Sequence, residues 1–201
     1  MTGEHYFSSA PQGPRKPRSI TFVLDGRTVV LASDRSVFSA DRLDPGTRVL
    51  LTSTPPPRPG VLVDVGCGYG PIACAQAIRQ PAATLWAVDV NERARELTAA
   101  NAASWGIADR VRVAAPNEVP PDLLVDEIWS NPPIRIGKPA LHALLLEWLG
   151  RLRPDGTAWL VVAKNLGSDS LQRWLDEQGF DAVRHVSERG YRVLRVSHGP
   201  R

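Results

Sequence analysis

Little in this sequence could ligate a metal, form a disulfide framework or cross a membrane. Only two cysteines occur, Cys67 and Cys74, seven positions apart. That spacing fits no zinc pattern, and reduced thiols in a cytoplasmic protein are expected. The four histidines, His5, His142, His185 and His198, are scattered without ligand spacing, so no metal is expected. No apolar run approaches the roughly 20 residues of a membrane-spanning helix. The first residues, M-T-G-E-H-Y-F, lack the basic and then apolar pattern of a signal peptide. Internal repeats and low-complexity domains are missing as well. A chain of 201 residues with otherwise ordinary composition then reads as one globular domain, or one domain with a small extension, and it is long enough for a substantial core.

The net charge of +3 is modest but unevenly placed. Residues 1–60 hold eight Lys/Arg against five acids, and the rest of the chain holds sixteen of each sign. The excess gathers around Pro14-Arg15-Lys16-Pro17-Arg18. Two readings of it stand level: a solvated basic tail, or an arm that touches phosphates.

The chain is organised around Val61–Pro71, V-L-V-D-V-G-C-G-Y-G-P. Val61-Leu62-Val63 reads as a buried strand. Asp64 lies at its carboxyl end, and Gly66, Gly68 and Gly70 follow at alternate positions. Then I-A-C-A-Q-A-I-R has a good helix pattern. Ligands of open α/β sheets bind beside such strand–loop–helix turns. The loop is not the dinucleotide fingerprint, because counting from Gly66 puts Pro71 in its third small-residue slot. The pattern D-x-G-x-G-x-G resembles motif I of the class I S-adenosylmethionine-dependent methyltransferases.

Before this stretch, residues 1–19 read as an extended polar arm. Ser19–Leu24 and Arg27–Ala32 form a hairpin about Asp25-Gly26. A short helix is expected at Asp41–Leu43, a turn at Asp44-Pro45-Gly46 and a strand at Arg48–Thr52, with all of this packed on the main sheet. From Val61 the alternation of strands and helices is regular. Strands are expected at Val61–Val65, Thr84–Val88, Arg110–Ala114, Val125–Trp129, Thr157–Ala163, Phe180–Ser187 and Arg192–Ser197. Helices are expected at Ile72–Arg79, Glu92–Trp105, Pro139–Leu152 and Ser170–Gln178. The chain thus divides into an extension, residues 1–60, and an α/β domain, residues 61–201.

Two further features carry chemistry. Asp89 ends the second core strand, where an acid can accept both ribose hydroxyls of a nucleoside. Asn91 suits the cap of the helix that follows. Ser130-Asn131-Pro132-Pro133 ends the fourth core strand. Two prolines remove backbone donors and stiffen the segment. Free carbonyls and the Asn131 amide oxygen could then accept both hydrogens of a planar amino group. Asn-Pro-Pro resembles the motif of methyltransferases that act on amino nitrogens of nucleobases or of glutamine. Arg135 and Lys138 flank it and could hold phosphates, and Lys164 faces the same rim. Arg189 and Arg192 read as solvated.

Taken together, N-P-P-I-R-I-G-K, D-V-G-C-G-Y-G-P-I, V-D-V-N-E-R-A and S-V-F-S-A-D-R-L-D-P-G-T resemble one family over nearly the whole chain. It is the small-domain methyltransferases similar to ribosomal RNA small-subunit methyltransferase C, which methylate the exocyclic N2 of a guanine. The resemblance implies a Rossmann-like α/β fold, with a mostly parallel sheet between helices and an N-terminal hairpin. It implies S-adenosylmethionine as cosubstrate, bound by Asp64, Gly66, Cys67, Gly68, Gly70, Asp89, Val90, Asn117 and Asn131. Catalysis would fall to Asn131, Pro132 and Pro133, and substrate contacts to Ile134, Arg135, Lys138 and Lys164. Ile134 stands where many amino methyltransferases carry an aromatic. Asn117 stands near the usual position of an acid after the third core strand. The implied partner is ribosomal RNA or the small ribosomal subunit. A methyltransferase of protein glutamine or of another amino group, and a non-catalytic RNA-binding module on the same fold, are the alternatives.

Overall fold

The computed structural model describes residues 16–34 and 42–199. Residue 15, most of the basic arm and Asp41 lie outside them. Among the described residues, nine strands and five α-helices follow in order. They are β1 (Pro17–Leu24), β2 (Arg27–Asp34), α1 (Pro45–Ser53), β3 (Gly60–Val65), α2 (Pro71–Arg79), β4 (Ala83–Val88), α3 (Glu92–Ser104), β5 (Val111–Ala114), β6 (Val125–Ser130), α4 (Lys138–Leu149), β7 (Leu152–Ala163), α5 (Ser168–Glu177), β8 (Phe180–Glu188) and β9 (Tyr191–His198). β1 and β2 make a two-stranded antiparallel sheet. The others form one sheet in the order β5-β4-β3-β6-β7-β9-β8. Pairing is parallel from β5 to β7 and antiparallel at β7–β9 and β9–β8.

The parallel strands are apolar on both faces because both faces are covered. Along β3, Leu62 joins a cluster with α2 and α3, whereas Val63 and Val65 join one with α4 and α5. β7 alternates likewise, with Trp159 and Val161 turned toward Val49 and Leu50 of α1, and Leu160 and Val162 toward α4 and α5. Helices α1–α3 thus cover one face, and α4 and α5 the other. Among the described residues no helix is long and apolar enough to cross a membrane.

The hairpin forms as expected, with Asp25 and Gly26 at φ 48° and 77° in its two-residue turn. It docks on the helices rather than on the sheet surface alone. Ile20, Phe22, Leu24, Val29 and Leu31 are buried in one cluster with Cys67, Ala73 and Ala77. The free edge of β2 is held by side chains of α3 and of its C-cap residue, Trp105. Asn101 exchanges two hydrogen bonds with the Ala32 backbone, at 2.7 and 2.9 Å, and Trp105 Nε1 donates to Val30 O. This satisfies an edge that would otherwise offer open backbone groups.

Residues 48–52 are the main correction. They lie in helix α1, not in a strand. Asp44 caps the helix, its carboxylate accepting from Thr47 N at 2.9 Å, and Pro45 stands in the first turn. Arg42 and Leu43 are not helical, while Asp41 lies outside the described residues. Val49, Leu50 and Leu51 are at most 1% exposed, and each such burial is worth about 1.5–3 kcal/mol. The run Val49-Leu50-Leu51 is thus explained by helix packing.

Candidate active site

Strand order reverses between β3 and β6, the switch point at which open α/β sheets bind ligands. Their carboxyl ends are tied together by Ser130 Oγ, which donates to Val65 O at 2.6 Å. Past Val65 the loop folds over the end of β4. Gly66 N and Cys67 N both donate to Val88 O, and Gly68 N donates to Asp89 Oδ2 at 2.9 Å.

The three glycines divide in role. Gly66 and Gly68 have φ of 78° and 58°, where side chains are disfavoured. A Cβ at Gly68 would meet nothing within 4 Å, and one at Gly66 only Pro133 Cδ at 4.0 Å. These two leave an open, side-chain-free floor. Gly70 is set back. It is buried, and a Cβ there would lie 2.9 Å from Thr98 of α3, so its lack of a side chain serves helix packing. Cys67 is buried too, its thiol 3.6 Å from Thr98 Oγ1 and its pKa pushed up by burial.

Asp64 has no exposed surface, and its Oδ2 accepts from Ala73 N in the first turn of α2. Burial holds this acid at a pKa of about 8, with nearby Asp89 adding to the rise. Its Oδ1 has no partner among the described residues. Asp64 therefore fixes the strand to the helix from beneath the loop.

Asp89 is half-buried at the groove. Oδ1 accepts from Asn91 N and Oδ2 from Gly68 N, which fixes the carboxylate and leaves further lone pairs. Burial raises its pKa. Asn91 caps α3 as expected, accepting from Arg93 N and Ala94 N. Val90, beside Asp89, is 46% exposed, an apolar surface at the rim. After β5, Asn117 is exposed, while Glu118 turns back to accept from Ala115 N. The floor at Gly66 and Gly68, the set carboxylate of Asp89 and the bare face of Val90 fit a nucleoside with an extended tail.

On the other side of the switch point, Asn131 is bound to α1. Its Nδ2 donates to Asp44 Oδ2 at 2.8 Å and to Thr47 Oγ1 at 3.1 Å. With both amide hydrogens so directed, Oδ1 is left as acceptor. Asp44 is the residue that sequence reasoning misses, although Asp-Pro-Gly ahead of an apolar run is a helix-start signal. The prolines do not leave free carbonyls. Pro132 O accepts from Ile134 N at 2.8 Å, and Pro133 O from Ile136 N at 3.1 Å. Each keeps one lone pair.

Ile134 and Ile136 turn toward the cluster under α4 and α5. Arg135, Lys138 and Lys164 are exposed. Lys164 N donates to Gly190 O, which brings Arg189 to the same rim, exposed as expected. Arg192 is not solvated. Its side chain is 13% exposed and pairs with Asp169 of α5. Among the described residues no three of His, Cys, Asp and Glu gather into a metal-binding group.

Comparison with known proteins agrees with this fold. The profile of the methyltransferase small domain family matches residues 28–195. Uncharacterized protein YbxB of Bacillus subtilis is 35% identical over 198 residues, covering 96% of this chain and 98% of its own. Ribosomal RNA large subunit methyltransferase G of Streptomyces coelicolor is 34% identical over 164 residues, 78% of this chain but 43% of its own. The solved 16S rRNA N2 G1207 methyltransferase of T. thermophilus, in complex with AdoMet and guanosine, superposes with a TM-score of 0.76. It is 21% identical and covers 94% of this chain and 52% of that one. The chain thus spans nearly all of the first relative and about half or less of the other two.

Proposed function

Because the chain belongs to the methyltransferase small domain family, we propose that it transfers a methyl group from S-adenosylmethionine to the exocyclic N2 of a guanine in small-subunit ribosomal RNA. The observation that carries this reading is the Asn131 amide at the switch point, its nitrogen held by Asp44 and Thr47 and its oxygen presented as acceptor. The guanine-N2 and small-subunit assignments are carried over from the T. thermophilus 16S rRNA N2 G1207 methyltransferase, which has the same fold.

S-adenosylmethionine, when bound, supplies a methyl group on a sulfonium, an already activated donor. The chain's own part is positioning and electrostatics. Asp89 accepts from the two ribose hydroxyls, Val90 packs beside the base, and Asn117 accepts from its amino group. Gly66 and Gly68 allow close approach of the backbone, and Asp64, Cys67 and Gly70 hold that loop in shape. Asn131 Oδ1 takes one hydrogen of the guanine amino group, and the remaining lone pair of Pro132 O takes the other. The nitrogen is thereby held with its lone pair toward the groove, and Pro133 closes the wall opposite Gly66. Positive charge that builds on the nitrogen is met by Asn131 Oδ1. Water can carry off the proton of the methylated amine, so no general base is assigned.

A guanine within RNA must leave its stack to reach this depth. Arg135, Lys138 and Lys164 hold phosphates around the displaced nucleotide, and the basic arm within residues 1–60 adds affinity without sequence choice. Mass spectrometry of ribosomal RNA from cells with and without the gene tests the proposal. Loss of one N2-methylguanine from small-subunit RNA is the expected result. Unchanged RNA, with loss of a methylated protein glutamine instead, would overturn it.

A further inference from the structure

An amino group can be held at Asn131 only if the base that bears it is also held, and the largest surface of a base is its flat face. The residue after Asn-Pro-Pro does not supply a partner for that face. It is Ile134, and it packs against the cluster under α4 and α5. On the α1 side, however, an aromatic ring stands at the rim. Tyr191 opens β9 and pairs with Ala163 at the carboxyl end of β7. The ring is half-buried, resting on the cluster of Val49, Leu50, Val161 and Val193.

Gly46 makes room for it. A Cβ at Gly46 would lie 2.9 Å from both Cδ1 and Cε1 of the ring, closer than side chains approach. The same position is 3.0 Å from Asp44 Oδ2, and that oxygen is 2.8 Å from Asn131 Nδ2. Ring, carboxylate and amide are thus neighbours around the space that Gly46 leaves open. Burial and the Asp44 charge also raise the pKa of the Tyr191 hydroxyl, which agrees with the ring lying beside that carboxylate.

We infer that Tyr191, seated on Gly46, is the stacking platform for the nucleobase whose amino group Asn131 orients. The inference rests on the nucleobase reading above and adds the residue that holds the base plane. It assigns to β9 the stacking surface that Ile134 does not provide.

The test uses the full chain loaded with S-adenosylhomocysteine and guanosine as the probe, with affinity read by saturation-transfer NMR. The parent is expected to bind guanosine, and Tyr191→Phe to match it within about twofold, since the π face is kept. Tyr191→Ala and Tyr191→Leu are expected to weaken binding by roughly fivefold to a hundredfold, the usual range for loss of one base–aromatic stack. Leucine refills the space against Gly46, so it would restore binding if the ring were only packing. Gly46→Ala, which displaces the ring, should follow the alanine variant. Parent-like binding by Tyr191→Leu, or no guanosine binding by the parent, would overturn the platform. RNA methylation is assayed in parallel and separates the two claims. Tyr191-dependent guanosine binding without RNA methylation leaves the platform standing and removes the RNA substrate. RNA methylation that is unchanged in Tyr191→Ala does the reverse.

Discussion

Asp44→Ala probes the link between α1 and the reacting centre. One carboxylate oxygen of Asp44 accepts from Thr47 N at 2.9 Å and from Asn131 Nδ2 at 2.8 Å, so the substitution removes a helix cap and an orienting contact together. Loss of the cap costs about 1 kcal/mol, or about 2–4 °C in Tm for a chain of this size. Loss of a hydrogen bond to a charged acceptor costs about 1.5–3 kcal/mol. Asn131 would keep only Thr47 Oγ1, at 3.1 Å, and its amide could rotate. If that energy serves mainly to hold Oδ1 toward the amino group, methyl transfer slows by about tenfold to a hundredfold. S-adenosylmethionine affinity should stay within about threefold, because the contacts at Asp89 and Gly68 form on separate elements. Asp44→Asn gives the contrast. Asparagine caps helices as well as aspartate does, and its amide oxygen can still accept from Asn131, so Tm should hold and the rate should fall less. The assay is single-turnover methylation of ribosomal RNA, with calorimetry for cosubstrate binding. An Asp44→Ala protein that melts a few degrees lower but methylates at the parent rate would refute the orienting role.

Three other outcomes are expected. Asp89→Ala should weaken S-adenosylmethionine binding at least about tenfold by calorimetry, since the proposed acceptor of the ribose hydroxyls, fixed by Gly68 N and Asn91 N, is lost; tighter binding of a nicotinamide dinucleotide instead would point to another nucleoside ligand. Asp64, with a pKa raised from 3.8 to about 8 by burial, favours the folded state when protonated. That contribution is complete below about pH 4 and is lost as pH rises through about 8, so Asp64→Asn should flatten this part of the Tm–pH curve, and parallel curves for parent and variant would show that the acid does not titrate this way. Replacing Arg15, Lys16 and Arg18 together should lower the salt slope of RNA binding, whereas an unchanged slope would make the arm a solvated tail.

Much of the fold is legible in the sequence because β3 to β6 are short apolar runs bounded by turn residues, and the helices have local stop signals. Asp25-Gly26 marks the hairpin, and Asn91 and Gly106 bracket α3. Residues 48–52 are not legible in this way, because Val-Leu-Leu fits a buried strand and one turn of a packed helix equally well. Asp44-Pro45-Gly46 ahead of them suits a turn as readily as a helix start. The cosubstrate side of the site is legible from Gly66, Gly68 and Asp89, which lie within one local strand–loop–helix unit and its neighbour. The substrate side is not. Asp44 meets Asn131 across 87 positions, and Tyr191 meets Gly46 only after β9 inserts beside β7. No local pattern encodes those contacts. Even within the glycine loop, spacing alone does not separate Gly70, which packs on Thr98, from Gly66 and Gly68, which face open space.

The most direct measurement is transfer of labelled methyl from S-adenosylmethionine to purified small- and large-subunit ribosomal RNA, followed by nucleoside digestion and mass spectrometry. The parent protein should place its label in N2-methylguanosine of small-subunit RNA. Asn131→Ala should bind S-adenosylmethionine within a few-fold of the parent and transfer methyl about a hundredfold to a thousandfold more slowly, as expected when one preorganised polar contact at the reacting group is lost. Label at another position or in protein, or an Asn131→Ala protein that methylates at the parent rate, would contradict it.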